Sequence, residues 1–209
     1  MRALIVSGGY KPSDNMFLDE VKKAQYLIAA DRGAEVFIKN NIKPDLVVGD
    51  FDSIGEEFKE SLKDFNLVKF NPEKDFTDSE IAFNKALEKG VKEIVLLGVT
   101  GSRLDHAFGN IGLLKKALDK NIKAYIKDNN NIIFLTNKPI NLKGTYGQTI
   151  SFHAYCDIVK KFNIRKAKYS LYDYDLHLGE SRAISNEFLN EDIEITFEEG
   201  IIMVVYSRD

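Results

Sequence analysis

The residues with the most chemistry in them are acids set just beyond short apolar runs. Leu46-Val47-Val48 reads as a buried strand, Gly49 ends it, and Asp50 and Asp52 follow two residues apart. If the chain stays extended, both carboxylates leave one face, roughly 7 Å apart at the Cα level, and Phe51 turns into the fold. Two like charges so placed repel, and a divalent cation held by oxygen ligands relieves that repulsion. The plainer alternative is that Asp50 caps a turn and Asp52 caps the next helix. Asp31 stands at the end of another apolar run, Asp75 and Asp78 flank a helix start, and Asp105 follows a glycine-containing loop. Arg32, Lys74 and Arg103 lie beside these acids. Acids alternating with bases suit a metal-bound polyphosphate, the acids holding the cation and the bases the phosphate oxygens. Without the cation each charge pair ~4 Å apart would cost ~1 kcal/mol in water and ~4 at an effective dielectric of 20. Magnesium takes few carboxylates, so we assign it Asp50 and Asp52 first and Asp78 third. His106 either contacts a phosphate or makes a helix-terminal hydrogen bond. His153 and His177 have no metal-like partners nearby in sequence and read as structural.

These residues need a frame that brings them to one rim. Ala3–Val6, Tyr26–Ala30, Leu46–Val48, Leu67–Phe70 and Glu93–Leu97 read as strands, with helical spacing between them. The helices fall near Met16–Ala24, Val36–Lys39, Glu56–Asp64 and Thr77–Lys89, and a further one follows Arg103 with Leu104, Phe108, Ile111 and Leu118 as its apolar stripe. Thr77-x-x-Glu80 is a capping-box pattern and Gly90 a stop. The rhythm predicts an α/β fold, a mostly parallel doubly wound sheet with helices on both faces, over residues 1–128. In such a sheet the strand-to-helix junctions face one crevice, where ligands bind. Gly8-Gly9 gives a tight turn or a close approach to a ligand. The Gly98–Ser102 loop enters a helix, which suits phosphate, although it lacks the Lys-Ser/Thr ending of a P-loop. Over residues 129–209 the rhythm changes to strands alone, predicting an all-β, sandwich-like domain. Its strands fall near Ile132–Leu135, Gln148–Tyr155, Tyr169–Leu178, Ser185–Leu189, Ile193–Phe197 and Ile201–Tyr206, with Glu198-Glu199-Gly200 read as a hairpin joining the last two.

Composition narrows the class. The chain has 209 residues, 44% hydrophobic, with a net charge of −3 from 29 basic and 32 acidic residues. That balance argues against a nucleic-acid footprint. Cys156, the single cysteine, excludes an intramolecular disulfide, fits a reducing compartment and reads as a small core residue. No apolar run approaches a membrane span, and the apolar part of the N-terminus is too short for a signal peptide. We expect a soluble cytoplasmic protein, with no membrane partner.

Taken in order, several stretches resemble the thiamine pyrophosphokinase (thiamine diphosphokinase) family. They are Ser7-Gly8-Gly9, Asp31-Arg32-Gly33-Ala34, Pro44-Asp45 with Gly49-Asp50-Phe51-Asp52-Ser53, and Glu73-Lys74-Asp75-x-Thr77-Asp78. Gly98-x-Thr100-Gly101-x-Arg103-x-Asp105-His106 follows, then Lys168-Tyr169 with Leu171, and Ile184-Ser185-Asn186-Glu187-Phe188. The resemblance implies transfer of pyrophosphate from ATP to the hydroxyl of thiamine, giving thiamine diphosphate and AMP. It implies ATP contacts at Asp31, Arg32, Gly33, Ser53, Thr77, Thr100, Gly101, Arg103, Asp105 and His106. Mg²⁺ would sit on Asp50, Asp52 and Asp78, and thiamine on Ser185, Asn186 and Glu187. Lys74 and Arg103 would stabilise the transferring oxygens, and Asp75 or Asp78 would accept the proton, base and ligand not being separable. The resemblance also implies a homodimer whose sites draw on both subunits. The chain has no Trp to stack the thiamine, so another aromatic, such as Tyr169, would serve. Two rival classes are a metal-dependent phosphohydrolase, for which Asp50-x-Asp52 would be an aspartyl nucleophile motif, and a non-catalytic nucleotide-binding sensor.

Overall fold

Short aliphatic and β-branched runs make the strands of the first unit, Met1–Asn129, in a computed structural model that describes residues 1–52, 54–69 and 75–208. The strands are β1 (Arg2–Val6), β2 (Tyr26–Ala30), β3 (Leu46–Gly49), β4 (Leu67–Lys69), β5 (Glu93–Leu97) and β6 (Lys123–Lys127). They pair in parallel in the order β6-β5-β1-β2-β3-β4. The helices between them are α1 (Asp14–Lys23), α2 (Ala34–Lys39), α3 (Glu56–Leu62), α4 (Asp78–Glu88) and α5 (Leu104–Asp119). Side chains alternate across a strand, so the two faces can be read from β1. Leu4 and Val6 pack with Phe17 of α1, Phe37 of α2 and Leu62 of α3. Ala3 and Ile5 point the other way, are equally buried, and α4 lies against β1, β2 and β3. The sheet is therefore doubly wound, as the strand–helix rhythm predicts. Its order reverses between β1 and β5, which places a crevice at their carboxyl ends.

Three local expectations change. Backbone at Phe51 is left-handed (φ 67°), not extended. The Asp52 N–H instead donates to Asp50 Oδ1 at 3.0 Å, which is the turn reading of Asp50. Phe51 still packs on the core. In α5 the buried stripe is Asn110, Leu113, Leu114 and Ala117, whereas Leu104 and Phe108 are exposed. Thr77 caps α4, accepting the Glu80 N–H at 3.2 Å. The Glu80 carboxylate does not close a capping box; it pairs with Lys116 of α5.

The second unit, Asn130–Asp209, is all β. One antiparallel sheet runs β12 (Asn186–Glu187), β9 (Thr149–Ala154), β14 (Ile202–Ser207), β7 (Asn131–Thr136). The other runs β11 (Leu171–His177), β10 (Ile158–Arg165), β13 (Ile193–Thr196), β8 (Ile140–Leu142). Their inner faces meet in one core that includes Phe152, Phe162, Leu176, Phe188, Ile195 and Val204, which makes a sandwich. The turn at Glu198-Glu199-Gly200 does not make a hairpin: β13 and β14 belong to different sheets, so the chain crosses the sandwich there. His153 lies half-buried in β9, and burial lowers its pKa.

Candidate functional site

Close packing of backbone at the carboxyl ends of β1, β2 and β5 builds the site. The Gly9 N–H donates to Gly98 O at 2.7 Å, and the Tyr10 N–H to Thr100 O at 2.7 Å. These bonds zip the loop after β1 to the loop after β5. A side chain at Gly98 would strike the Ser7 carbonyl, and its φ of +65° already favours glycine. The Asn129 amide fixes the β1 loop from below: Oδ1 accepts the Ser13 N–H at 2.8 Å and Nδ2 donates to Lys11 O at 3.2 Å. Ser7 Oγ meets Ser79 Oγ at 2.8 Å, tying β1 to the start of α4.

Between these loops lies a cavity of about 540 Å³. Its walls are the Ser7–Gly9 and Gly98–Arg103 loops, Ala30 to Arg32 after β2, Thr77 to Ser79 at the start of α4, and His106 and Asn110 of α5. Two helices begin at it, each bringing the positive end of a helix dipole. Glycine loops and helix N-termini together favour a phosphate-bearing ligand. The volume falls in the range of small-molecule sites.

Of the residues expected to bind nucleotide, Asp31, Arg32, Thr77, Thr100, Gly101, Arg103 and His106 line this cavity, and so does Asp78. Thr100 Oγ1 donates to Asp128 Oδ2 at 3.0 Å, so that hydroxyl braces the loop. Arg103 and Asp105 form a two-pronged pair, Nε to Oδ1 at 3.2 Å and Nη2 to Oδ2 at 2.6 Å. The Arg103 hydrogen bonds hold the Asp105 carboxyl well below the usual range, at about 2. Asp105 therefore reaches the site through Arg103, not as part of its wall. Gly33 is not in the wall either. It is buried, and a Cβ there would run into the Val6 carbonyl group, so its role is to let β1 and the turn after β2 touch. Asp50, Asp52 and Asp75 lie outside the cavity lining. Ser53 and Lys74 fall outside the described residues.

Among the described residues no three His, Cys, Asp or Glu side chains are gathered to hold a metal. Magnesium needs no such cage, since it uses one or two carboxylates with phosphate oxygens and water. The hard oxygens of Asp50, Asp52 and Asp78 suit it in kind.

Ser79, Ser102 and Asn110 line the cavity and escape the sequence reading. Asn110 had a signal: it is the one polar position in the buried stripe of α5. Its Nδ2 donates to Val99 O at 2.8 Å.

In the second unit, Asn186 is buried with its amide committed to Tyr169. Nδ2 donates to Tyr169 O at 2.7 Å, and Oδ1 accepts the N–H groups of Tyr169 at 3.0 Å and Glu187 at 2.9 Å. Glu187 pairs with Lys168 at 2.6 Å, whose ammonium stands over the exposed Tyr169 ring at 5.4 Å. Ser185 has a left-handed backbone (φ 56°) and its N–H donates to Ser151 Oγ at 3.0 Å. Asn186 is thus a bracket for Tyr169, with one amide hydrogen left for any other contact.

Comparison with known proteins agrees with both units. Residues 17–126 match the family described as thiamin pyrophosphokinase, catalytic domain. Residues 137–202 match thiamin pyrophosphokinase, vitamin B1 binding domain. The chain is 32% identical over 212 residues to a thiamine pyrophosphokinase of Bacillus subtilis, covering 98% of each. A crystal structure of thiamine pyrophosphokinase from Bacillus subtilis superposes with a TM-score of 0.89 at 29% identity over 100% of both chains. A thiamin pyrophosphokinase family protein from Enterococcus faecalis does so with a TM-score of 0.87 at 27% identity, again over 100% of both.

Proposed function

The chain belongs to the thiamine pyrophosphokinase family, and we propose from that premise how its residues make thiamine diphosphate from ATP and thiamine. The observation that carries the reading is the cavity at the β1/β5 reversal, walled by two glycine loops and two helix N-termini. ATP fills it, its phosphates on the Gly8-Gly9 and Gly98–Gly101 backbones and on Arg32 and Arg103. Asp78, with Asp50 and Asp52, would hold a magnesium ion, which would supply neutralisation of the triphosphate charge. The thiamine hydroxyl oxygen attacks the β-phosphorus, the bond from that phosphorus to the α–β bridging oxygen breaks, and AMP leaves. The hydroxyl proton passes to a carboxylate, Asp78 or Asp75. The chain's own contribution is alignment and charge stabilisation, which is most of what phosphoryl transfer asks of a protein. Arg103 reaches the transferring oxygens by exchanging the Asp105 carboxylate for phosphate, one two-pronged acceptor for another.

In the second unit we assign thiamine to the exposed ring of Tyr169 and to Ser185 and Glu187 beside it, with Asn186 holding Tyr169 in place. We further propose a homodimer formed through that unit. Alternation along β14 sends Ile202 and Val204 into the sandwich core, while Met203 and Val205, beside Ile133 of β7, stay half-buried on the opposite face. An apolar sheet face of that kind suits an isologous contact. Mixed Asp78→Asn and Glu187→Gln chains should regain activity if two copies share a site. Cys156, a free thiol, suits the reducing cytoplasm in which we place the enzyme.

The deciding experiment incubates the protein with ATP, Mg²⁺ and thiamine and follows the phosphorus NMR spectrum. Thiamine diphosphate and AMP should appear together. ADP with thiamine monophosphate would reject transfer of a diphosphoryl group, and a thiamine-independent release of inorganic phosphate would favour a hydrolase.

A further inference from the structure

One buried charge lies outside the machinery described so far. Glu35, in the first turn of α2, has a side chain only 3% exposed. A carboxylate that deep needs partners. It has three, each on a different loop at the carboxyl edge of the sheet. Lys11 Nζ, from the loop after β1, donates to Oε2 at 2.9 Å. Arg32 Nε, from the turn after β2, donates to Oε1 at 3.4 Å. The Gly55 N–H, from the loop that follows Asp50 and Asp52, donates to Oε1 at 3.4 Å. Burial pushes the Glu35 pKa up, but the Lys11 hydrogen bond, the Gly55 N–H and the charges of Lys11 and Arg32 outweigh it, so the group sits below the usual carboxylate value. It is an anion holding two cations.

The geometry at Arg32 gives this a purpose. Arg32 lines the nucleotide cavity. Its Nε is turned back to Glu35, and among the described residues its two terminal nitrogens have no hydrogen-bonded protein partner. A guanidinium held by Nε presents those terminal nitrogens as a fork, the shape that binds a phosphate through two parallel bonds. We propose that Glu35 is a positioning residue that sets the Arg32 fork toward the phosphates of ATP, and that it does so while bracing the loop that carries Asp50 and Asp52. This deepens the reading of the cavity as an ATP site and rests on it. Arg103, by contrast, has its fork filled by Asp105. Arg32 is the arginine ready for phosphate before the ligand arrives. Without Glu35, the Lys11 and Arg32 cations lose the anion between them, and Arg32 returns to its full set of rotamers.

The test is a double-mutant cycle read by calorimetric titration with ATP and Mg²⁺, without thiamine, so that it does not depend on turnover. Glu35→Gln keeps the shape and one acceptor oxygen but removes the charge. It should raise the Kd for ATP roughly tenfold, the loss expected for one charge-assisted hydrogen bond. In an Arg32→Ala background the same change should add little, because its effect passes through Arg32. Arg32→Lys, which keeps the charge but has no fork, should weaken ATP binding about as much as Arg32→Ala, and it does not depend on Glu35→Gln folding. A Glu35→Gln protein that melts earlier yet binds ATP like wild type would reduce Glu35 to a structural group and overturn the proposal. So would a full loss repeated in the Arg32→Ala background, or wild-type affinity in Arg32→Lys. ATP binding that obeys the cycle without forming thiamine diphosphate would sink the proposed function and leave Glu35 in its role. Wild-type protein that takes up no ATP would overturn both.

Discussion

Replacing Gly33 by alanine sets two effects of opposite sign against each other at one Cα. Gly33 has φ −57° and ψ −25°, ordinary right-handed helical values. Backbone preference alone therefore favours alanine there, by about 1 kcal/mol. Sterics oppose it. The new Cβ would lie 2.5 Å from Val6 C, 3.0 Å from Ser7 N and closer still to the Val6 carbonyl oxygen. Carbon atoms at rest stand roughly 3.5–4.0 Å apart, so the chain must open by about 1 Å. Overpacking of this kind costs about 1–3 kcal/mol, and the upper end applies because the obstacle is the backbone of a central strand. The net loss should be about 2 kcal/mol, a fall in Tm of roughly 4–8 °C for a chain this long. A functional loss should accompany it, since Val6 leads directly into Ser7 and Gly8 of the cavity wall. A displacement of about 1 Å there should weaken kcat/KM by up to a hundredfold. Gly109→Ala is the control: within α5 a Cβ at Gly109 meets nothing within 4 Å, so Tm should rise by roughly 1–4 °C. Differential scanning calorimetry on both variants checks the pair. Gly33→Ala melting at or above the wild-type temperature would refute the close-contact argument.

Asn186→Ala removes three hydrogen bonds from a buried site; it should cost about 2–3 kcal/mol, and an unchanged urea midpoint would show that the bracket on Tyr169 is not formed. The Arg103–Asp105 pair predicts an acid-side effect: Asp105 has its pKa lowered from 3.8 to about 2, so its stabilisation is complete above the unfolded value and lost as pH falls through the folded one. Wild type and Asp105→Asn should differ in Tm near neutral pH and converge near pH 2, while a carboxyl carbon titrating at 3.8 by NMR would mean that the pair is absent in solution. Thr77→Ala removes the cap of α4 and should cost about 1 kcal/mol; hydrogen exchange at the Glu80 amide should speed up, and an unaltered rate would count against the cap.

The strands and helices of the first unit were largely legible because local signals there agree with tertiary demands. Leu46-Val47-Val48 is apolar on both faces and is buried on both. Thr77 is a good cap and caps. Errors arose where a local rule met a tertiary exception. Leu104 and Phe108 look like a core stripe, yet they stand exposed at the start of α5, while a polar Asn110 is buried. Ile158–Arg165 carries no clear strand signal, because Lys160-Lys161 interrupts its alternation. The pairing with β11 slips between Val159 and Phe162, and Lys161 takes φ 54°. Such a bulge is a tertiary accommodation with no periodic signature. A turn signal at Glu198-Glu199-Gly200 reveals a reversal but not which sheet the next strand joins. Within the site, residue type marked the charged groups. Distance decided which of them face the cavity, and that depends on loops from separate strands converging.

The central place of β1 bears on how the chain reaches this structure. Arg2–Val6 leaves the ribosome well before one of its two neighbours, Glu93–Leu97. The loop after β1 waits likewise for Gly98 and Thr100 to accept its amide hydrogens. β1 can pair early with β2, and β2 with β3, leaving one edge of the nascent sheet open until α4 has been synthesised. Long-range parallel pairing is slow, and an open apolar edge is where chains associate wrongly. The growing polypeptide thus carries an open apolar edge, Leu4 to Val6, through most of the synthesis of its first unit, and the arrival of β5 with the loop after it closes that edge and joins the two glycine loops of the cavity wall.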